Sequence, residues 1–341
     1  MTTTRKYFIY SPALDQAKSI AYLLKKYYPS TEIIGLQMEK EQIRLKPHYF
    51  DQIRHINTIG TLNLEGIHIP TGATSTKWLL ESKGDIKIGS IKHLKSNLRV
   101  FDKPQMIELA RELGIPVPQT WQTASEIPSF PVFYKQRYET GGGLRGIARS
   151  ALELPRGYQN NLIYQELIPS QGTYGVAFLA DEGRLLVTHT HFERESSPRE
   201  GGSAVVIESF SDSRLINHTR ALIESLAYSG WGLAEFKYSA ELNDYLLMEV
   251  NAKFWASCEF TFVNEPLFLK LLFDIDSHEK PIDRMVFLER AFARGMPFIL
   301  SNIRLLRSSK VKLYPGWWLR VGNMFARNLI GYTTKILGGE N

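Results

Sequence analysis

The sequence predicts a mixed protein of the α/β (α+β) class, on three observations. The first ~95 residues alternate short apolar runs with helical stretches, residues from about 100 to about 275 turn strand-rich around the clusters Gly141-Gly142-Gly143 and Gly201-Gly202, and a basic amphipathic stretch closes the chain. At 341 residues, with 43% hydrophobic and 22% charged side chains, the chain is long enough for two or three units with cores of their own.

The opening rhythm is that of a small parallel α/β unit. Tyr7-Phe8-Ile9-Tyr10 reads as a strand, about Asp15 to Tyr28 as a helix, and Glu32-Ile33-Ile34-Gly35-Leu36 as a second strand. The first strand leads into Ser11-Pro12-Ala13 rather than a Gly-x-Gly-x-x-Gly turn, which argues against a nicotinamide cofactor. Gly72 marks either a ligand-contacting loop at a strand end or a plain connecting turn. Asp102-Lys103-Pro104 opens a helix, with Asp102 as the expected cap, and Gly114 closes it ahead of Pro116 and Pro118.

In the strand-rich part, Pro131-Val132-Phe133-Tyr134-Lys135 is a strand ending in a cation, followed by the three glycines. Glycines lack the Cβ that keeps backbone amides from phosphate oxygens, so a mobile tip over a nucleotide and a flexible turn both account for them. Gly-Lys-Ser/Thr is missing and Leu144-Arg145-Gly146-Ile147-Ala148 reads as a strand, which excludes a Walker loop. Leu162 to Ile168 form a further strand carrying Glu166.

Between Gly232 and Asn251 two apolar strands flank Glu241-Leu242-Asn243. Pairing Ala240 with Asp244 sets Glu235 opposite Glu249, Leu233 opposite Asn251 and Lys237 opposite Leu247, and leaves Phe236, Leu246 and Met248 on the core face. Facing carboxylates repel unless something neutralises them. A hard cation held by Glu235, Glu249 and the Asn251 amide oxygen is one answer, and a solvated hairpin with Lys237 balancing the acids is the other.

The order of these pieces, Asp102-Lys103, Lys135 with its glycines, Gln165-Glu166-Leu167-Ile168, Glu235 and then Glu249-Val250-Asn251, resembles the ATP-grasp superfamily. The ATP-binding halves of carbamoyl phosphate synthetase large chains are similar over roughly residues 1–275. The resemblance implies a pre-ATP-grasp α/β domain over 1–98 and a two-lobed ATP-grasp domain over 99–278. Its small lobe would run 99–165 and its metal and substrate lobe 166–278, with a basic helical extension over 279–341. It further implies that Lys103 and Lys135 hold nucleotide phosphates and that Gly141, Gly142 and Gly143 cover them. Gln165, Glu166, Leu167 and Ile168 would lie beside the adenine, and Glu235, Glu249 and Asn251 would bind Mg²⁺, or Mn²⁺ in its place. Two departures stand out. Thr173 occupies the position where many relatives place a ribose-binding acid, and Ala252-Lys253 replaces Pro-Arg, so Lys253 keeps the charge without the bidentate fork.

The activity implied is phosphoryl transfer from ATP to a carboxylate, then attack by an amine or similar nucleophile with release of ADP and phosphate. An ATP-grasp kinase or carboxylase, and a nucleotide-binding sensor or scaffold without turnover, are the alternatives. Arg199 is the first candidate to grip the transferring phosphoryl group or a carboxylate, with Arg194 second and Lys253 beside the metal strand; a charged loop with ion pairs to Glu195 and Glu200 accounts for the arginines equally. Trp255 is expected in a core or as a pocket wall, and Cys258 as a small buried hydrophobe.

Cys258 is the only cysteine, no run of about 18 apolar residues occurs and Met1 to Lys6 lead into a strand, which together point to a cytoplasmic protein. Net charge is +6, yet residues 284–341 hold ten Lys/Arg against Glu289 and Glu340, or +8, leaving −2 for the rest. That tail suits an anionic membrane surface or an acidic partner, and equally a helical add-on packed on the body. Its aromatic and basic residues form no recognised nucleic-acid module, the expected partners are small-molecule carboxylate and amine substrates, and a homo-oligomer is compatible with the sequence.

Overall fold

The computed structural model describes residues 5–38, 48–56, 64–139, 141, 143–157, 161–169, 172–197, 202–307 and 309–312. The expected roles of Gly142 and Arg199, and the tail beyond residue 312, lie outside them.

The N-terminal unit is a four-stranded parallel sheet in the order β3-β2-β1-β4, built from β1 (Lys6–Tyr10), β2 (Glu32–Gln37), β3 (Gln52–His55) and β4 (Ile67–Ile69). The crossover from β1 to β2 is α1 (Asp15–Tyr27), whose Ala17, Ile20, Ala21, Leu23 and Leu24 are buried while Lys25 and Lys26 close its last turn. After β4 come α2 (Ala73–Lys83), which starts directly after Gly72, and a short hairpin of β5 (Ile86–Ile88) and β6 (Ile91–His93).

Helix α3 (Lys103–Glu112) begins and ends where the sequence places it, with Gly114 in the left-handed region at φ 70°. The expected capping mechanism is not what the structure shows. The Asp102 side chain makes no cap hydrogen bond and instead accepts two from the Arg137 guanidinium, at 3.2 and 2.8 Å, tying the helix start to the strand that carries Lys135. The small sheet follows in the order β7-β10-β8-β9, from β7 (Thr120–Trp121), β8 (Val132–Gln136), β9 (Arg145–Ala148) and β10 (Leu162–Glu166).

The large sheet has seven strands in the order β15-β14-β11-β12-β13-β16-β17. Its members are β11 (Thr173–Asp181), β12 (Arg184–Ser197), β13 (Ser203–Ser209), β14 (Gly230–Ser239), β15 (Asp244–Asn251), β16 (Arg284–Phe287) and β17 (Lys310–Lys312). Helices α4 (Ser213–Ser225), α5 (Cys258–Asn264) and α6 (Leu267–Phe273) intervene, and α7 (Leu288–Ala293), α8 (Met296–Ser301) and α9 (Ile303–Arg307) carry the basic stretch. The extension thus contributes helices as expected and also two strands, β16 beside β13 and β17 beside β16. Among the described residues no helix is long and apolar enough to cross a membrane.

One core runs from the N-terminal sheet into the large sheet. Tyr7, Ile9 and Leu36 share it with Ala177, Leu179, Trp231, Phe254 and Phe262, and the buried thiol Cys258 belongs to it. A second core holds Met106 and Ala110 of α3 against Phe236, Leu247 and Val250. The large sheet is therefore braced on both faces.

The β5–β6 tip shows how closely the N-terminal unit is docked. Gly89 sits at φ +57°, and a Cβ there would lie 2.4 and 2.5 Å from the Leu271 and Leu272 carbonyl oxygens of α6. Because those neighbours are backbone, Gly89→Ala is expected to cost roughly 2 kcal/mol or more. Urea unfolding checks this, and an unchanged midpoint would show that the tip is not packed as described.

Candidate active site

The site starts from the β14–β15 hairpin. Leu233 faces Asn251 and Glu235 faces Glu249, as the alternation of the two strands predicts. Nearer the turn the expected pairing fails. A bulge makes Phe236 the partner of Leu247, Lys237 of Leu246 and Ser239 of Asp244, with Ala240 to Asn243 in the turn. Met248 is the extra residue, so Leu247 turns into the core and Met248 into the cavity, the reverse of the sequence assignment. The bulge also frees the Met248 carbonyl, which accepts a hydrogen bond from Lys135 Nζ at 2.8 Å.

Glu235 and Glu249 line a cavity of about 330 Å³ between the two sheets, together with Lys103, Lys135, Glu139, Gly141, Gly143, Thr173, Asn251 and Lys253. Asn251 Nδ2 donates to Glu235 Oε2 at 2.6 Å and to Glu249 Oε1 at 3.1 Å, and Lys253 Nζ donates to Asn251 Oδ1 at 2.6 Å. Lys103 Nζ and Lys135 Nζ stand 3.9 and 3.8 Å from Glu249 Oε2. The small lobe thus supplies positive charge to a negative pair on the large one.

The two carboxyls are pushed apart in acidity. Burial, and then the charge of Glu249, push Glu235 well above the usual carboxylate range. Glu249 is equally buried, but Lys103 and Lys135 outweigh that and hold it well below the range. Lys135 is pushed down to about 8 by burial, which Glu249 opposes. For Lys103 burial is overcome by Glu249 and Glu139, and its value rises.

Glu139 was not singled out in the sequence, and it is central. Its Oε2 accepts from Lys103 Nζ at 3.0 Å, its Oε1 accepts from the Gly141 N–H at 2.7 Å, and Lys253 Nζ lies 3.7 Å from Oε1. Two lysines and a glycine amide already hold an oxyanion, so the cradle has the chemistry a phosphate needs. Its place two residues before the glycines was the available signal.

A divalent cation also fits the donors. Two facing carboxyls meet at an amide whose rotation by half a turn would present an oxygen to the same point. Among the described residues no group of three or more His, Cys, Asp or Glu side chains is placed to hold a metal, so these two acids and the amide are the candidate.

Other expected residues are elsewhere. Gln165 Nε2 donates to Thr120 Oγ1 at 3.0 Å and the Gln119 N–H donates to Glu166 Oε1 at 3.0 Å; neither residue, nor Leu167 or Ile168, lines the cavity. Arg194 and Glu195, for which a charged loop is one of the two sequence readings, lie in strand β12, which runs to Ser197. Its alternation turns Arg194 outward onto Glu208, at 2.7 Å, while Glu195 pairs with Arg294, so Arg194 is not in the cavity. Glu193, one residue before it, is. Trp255 is buried, donates to Thr261 Oγ1 at 3.1 Å and also forms part of the wall.

No protein-family model matches the sequence, and no curated protein matches it by sequence. Solved structures do match. Rhizobium etli pyruvate carboxylase superposes with a TM-score of 0.60 at 14% identity, over 77% of this chain and 27% of that one, so this chain spans little more than a quarter of it. The biotin carboxylase domain of Hydrogenobacter thermophilus 2-oxoglutarate carboxylase, in complex with MgADP, ADP and bicarbonate, gives 0.59 at 14% identity over 82% of this chain and 72% of that one. L-amino acid ligase from Bacillus licheniformis gives 0.55 at 11% identity over 83% and 79%. The chain has the ATP-grasp fold. The likeness is one of architecture.

Glu235 yields a test that needs no substrate. Its unfolded carboxyl ionises at the ordinary value while the folded one keeps its proton to higher pH, so folding stability is lost as pH rises between the two. Glu235→Gln removes that loss. The metal-free variant is expected to be more stable than the parent at neutral pH, by roughly 1 kcal/mol or more, and to lose any stabilisation by Mg²⁺. Denaturant melts with and without Mg²⁺ check both, and a variant less stable than its parent and still stabilised by Mg²⁺ would contradict the assignment.

Proposed function

We propose that the chain is an ATP-dependent, ADP-forming ligase that activates a carboxylate as an acyl phosphate and joins it to an amine. The observation that carries the reading is the charge pattern across the cavity. Lys103 and Lys135 converge on a half-buried carboxylate pair at Glu249, and Lys103, Lys253 and the Gly141 amide already grip an oxyanion. The fold supports it, since a carboxylase domain solved with MgADP and bicarbonate and an amino acid ligase share the architecture.

In this reading the ATP phosphates take the place of the Glu139 carboxylate, with Lys103 and Lys135 on their oxygens and Gly141 to Gly143 over them. Phe133, Leu144 and Met248 supply apolar walls for the base, and Thr173 stands where the ribose would pass. Glu235, Glu249 and Asn251 would hold Mg²⁺, or Mn²⁺, which supplies charge neutralisation for the phosphates when bound. A substrate carboxylate oxygen attacks the γ-phosphorus, and the bond to the bridging oxygen breaks with its electron pair leaving on ADP. The acceptor ammonium first loses one proton to solvent, the free amine nitrogen then attacks the acyl carbon, the C–O bond to phosphate breaks with its pair leaving on phosphate, and the nitrogen's one remaining surplus proton goes to phosphate. The protein's part is positioning and charge, and Lys253, beside Asn251, is placed to steady an oxyanion during transfer.

The experiment is Mg²⁺-dependent phosphate release from ATP across a panel of carboxylates with and without amines. Stimulation by a carboxylate and an amine together is the expected result, whereas stimulation by bicarbonate alone would replace the ligase reading with a carboxylase. Glu249→Gln is expected to reduce the stimulated rate at least ~100-fold, because it removes the charge that both lysines answer. An unchanged rate would remove Glu249 from the chemistry.

A further inference from the structure

The cavity has two chemically different ends. The small-lobe end carries Lys103 and Lys135 and reads as the phosphate side. The other end is walled by α1, β12, the start of β13 and the segment after β15, through Leu14, Gln16, Glu193, Ser203, Trp255 and Ser257. Of those side chains, Glu193 is the charged one, and Lys253 also lines the cavity two residues before Trp255.

Glu193 reaches the cavity because of its strand. His191 and Glu193 lie on the β12 face that continues through Gly175 of β11 to Glu235 of β14. A Cβ on Gly175 would lie 2.3 Å from His191 Nε2, so the bare glycine lets the His191 ring settle into the sheet. Beyond it, Glu193 Oε1 stands 3.8 Å from that nitrogen. Burial pushes His191 down to about 3, so the ring brings no positive charge. The cation whose charge acts on Glu193 is Arg290, which is engaged with other partners: it pairs with Asp15 and donates to the Ala204 carbonyl at 2.5 Å. The Glu193 carboxyl makes no hydrogen bond among the described residues, unlike the carboxyls of Glu139, Glu235 and Glu249. A buried carboxyl facing a cavity without a donor is a place for a cationic ligand group.

We infer that Glu193 is the acceptor-recognition residue, taking the ammonium group of an amine substrate that arrives as a cation between β12 and the Trp255 wall. The inference rests on the ligase reading and narrows it to primary amines protonated in solution, with Trp255 offering an aromatic wall beside the cationic group.

The test sets a charged acceptor against an uncharged one. With MgATP and a pool of the common L-amino acids as both carboxylates and ammonium acceptors, amide product is measured by mass spectrometry. In parallel, hydroxylamine, uncharged at neutral pH, is added to trap the same acyl phosphates as hydroxamates. Glu193→Gln is expected to lower the ratio of amide to hydroxamate roughly 10- to 100-fold at sub-saturating pool, the range for losing one charge-assisted contact, and Glu193→Asp is expected to restore part of it. A ratio that stays at the parent's value, whether both products fall together or neither falls, overturns the inference. Hydroxamate without amide from the unaltered protein also overturns it while leaving carboxylate activation standing. No hydroxamate from the unaltered protein would bring down the ligase reading itself.

Discussion

The structure turns on two carboxylates that cannot both be comfortable. Glu235 and Glu249 face each other across neighbouring strands, half-buried, with an amide between them. Left alone they would repel strongly in so dry a place, and the protein answers from the opposite lobe. Lys103 at the start of α3 and Lys135 on β8 approach Glu249 on one side, while burial and then the charge of Glu249 push Glu235 well above the usual carboxylate range on the other. The negative pair and the lysines define one compartment, and each lobe is charged in a way that makes sense only in the presence of the other.

Much of the surrounding architecture serves that compartment. The large sheet is braced by two cores, one shared with the N-terminal unit and one with α3, so the strands bearing the acids have little freedom. Asp102 and Arg137 join the start of α3 to the strand that carries Lys135, which fixes the two lysines relative to each other. The Met248 bulge then gives Lys135 a carbonyl to hold, so a buried ammonium pushed down to about 8 is both anchored and aimed. Glu139 keeps Lys103 and the glycine amide occupied by an oxyanion in the absence of phosphate. The carboxyl of Glu193, on β12, also lines the cavity.

The parts legible in the sequence were those set by strict periodicity. Alternation along two short strands put Glu235 opposite Glu249, and the parallel α/β opening announced itself through apolar runs separated by an amphipathic helix. What was not legible depended on contacts between distant residues. Nothing local distinguishes Met248 as a bulge, since its partner strand and Lys135 decide it, and so the register near the turn came out one residue off. Asp102 looks like a helix cap until Arg137, 35 positions later, claims its carboxylate. Arg194 looked more useful than Glu193 because guanidinium suits anions, yet strand alternation decides which of two neighbours faces the cavity. Extending β12 through His189, His191 and Glu193 would have shown it.

The central claim is tested most directly by where a metal settles. A crystal of the chain grown with Mn²⁺ and a non-hydrolysable ATP analogue, measured at a wavelength where manganese scatters anomalously, is predicted to show a peak among Glu235, Glu249 and Asn251. The analogue's phosphates should lie against Lys103 and Lys135 with Glu139 displaced from Lys103. A peak elsewhere, or a triphosphate bound away from those lysines, would contradict the account.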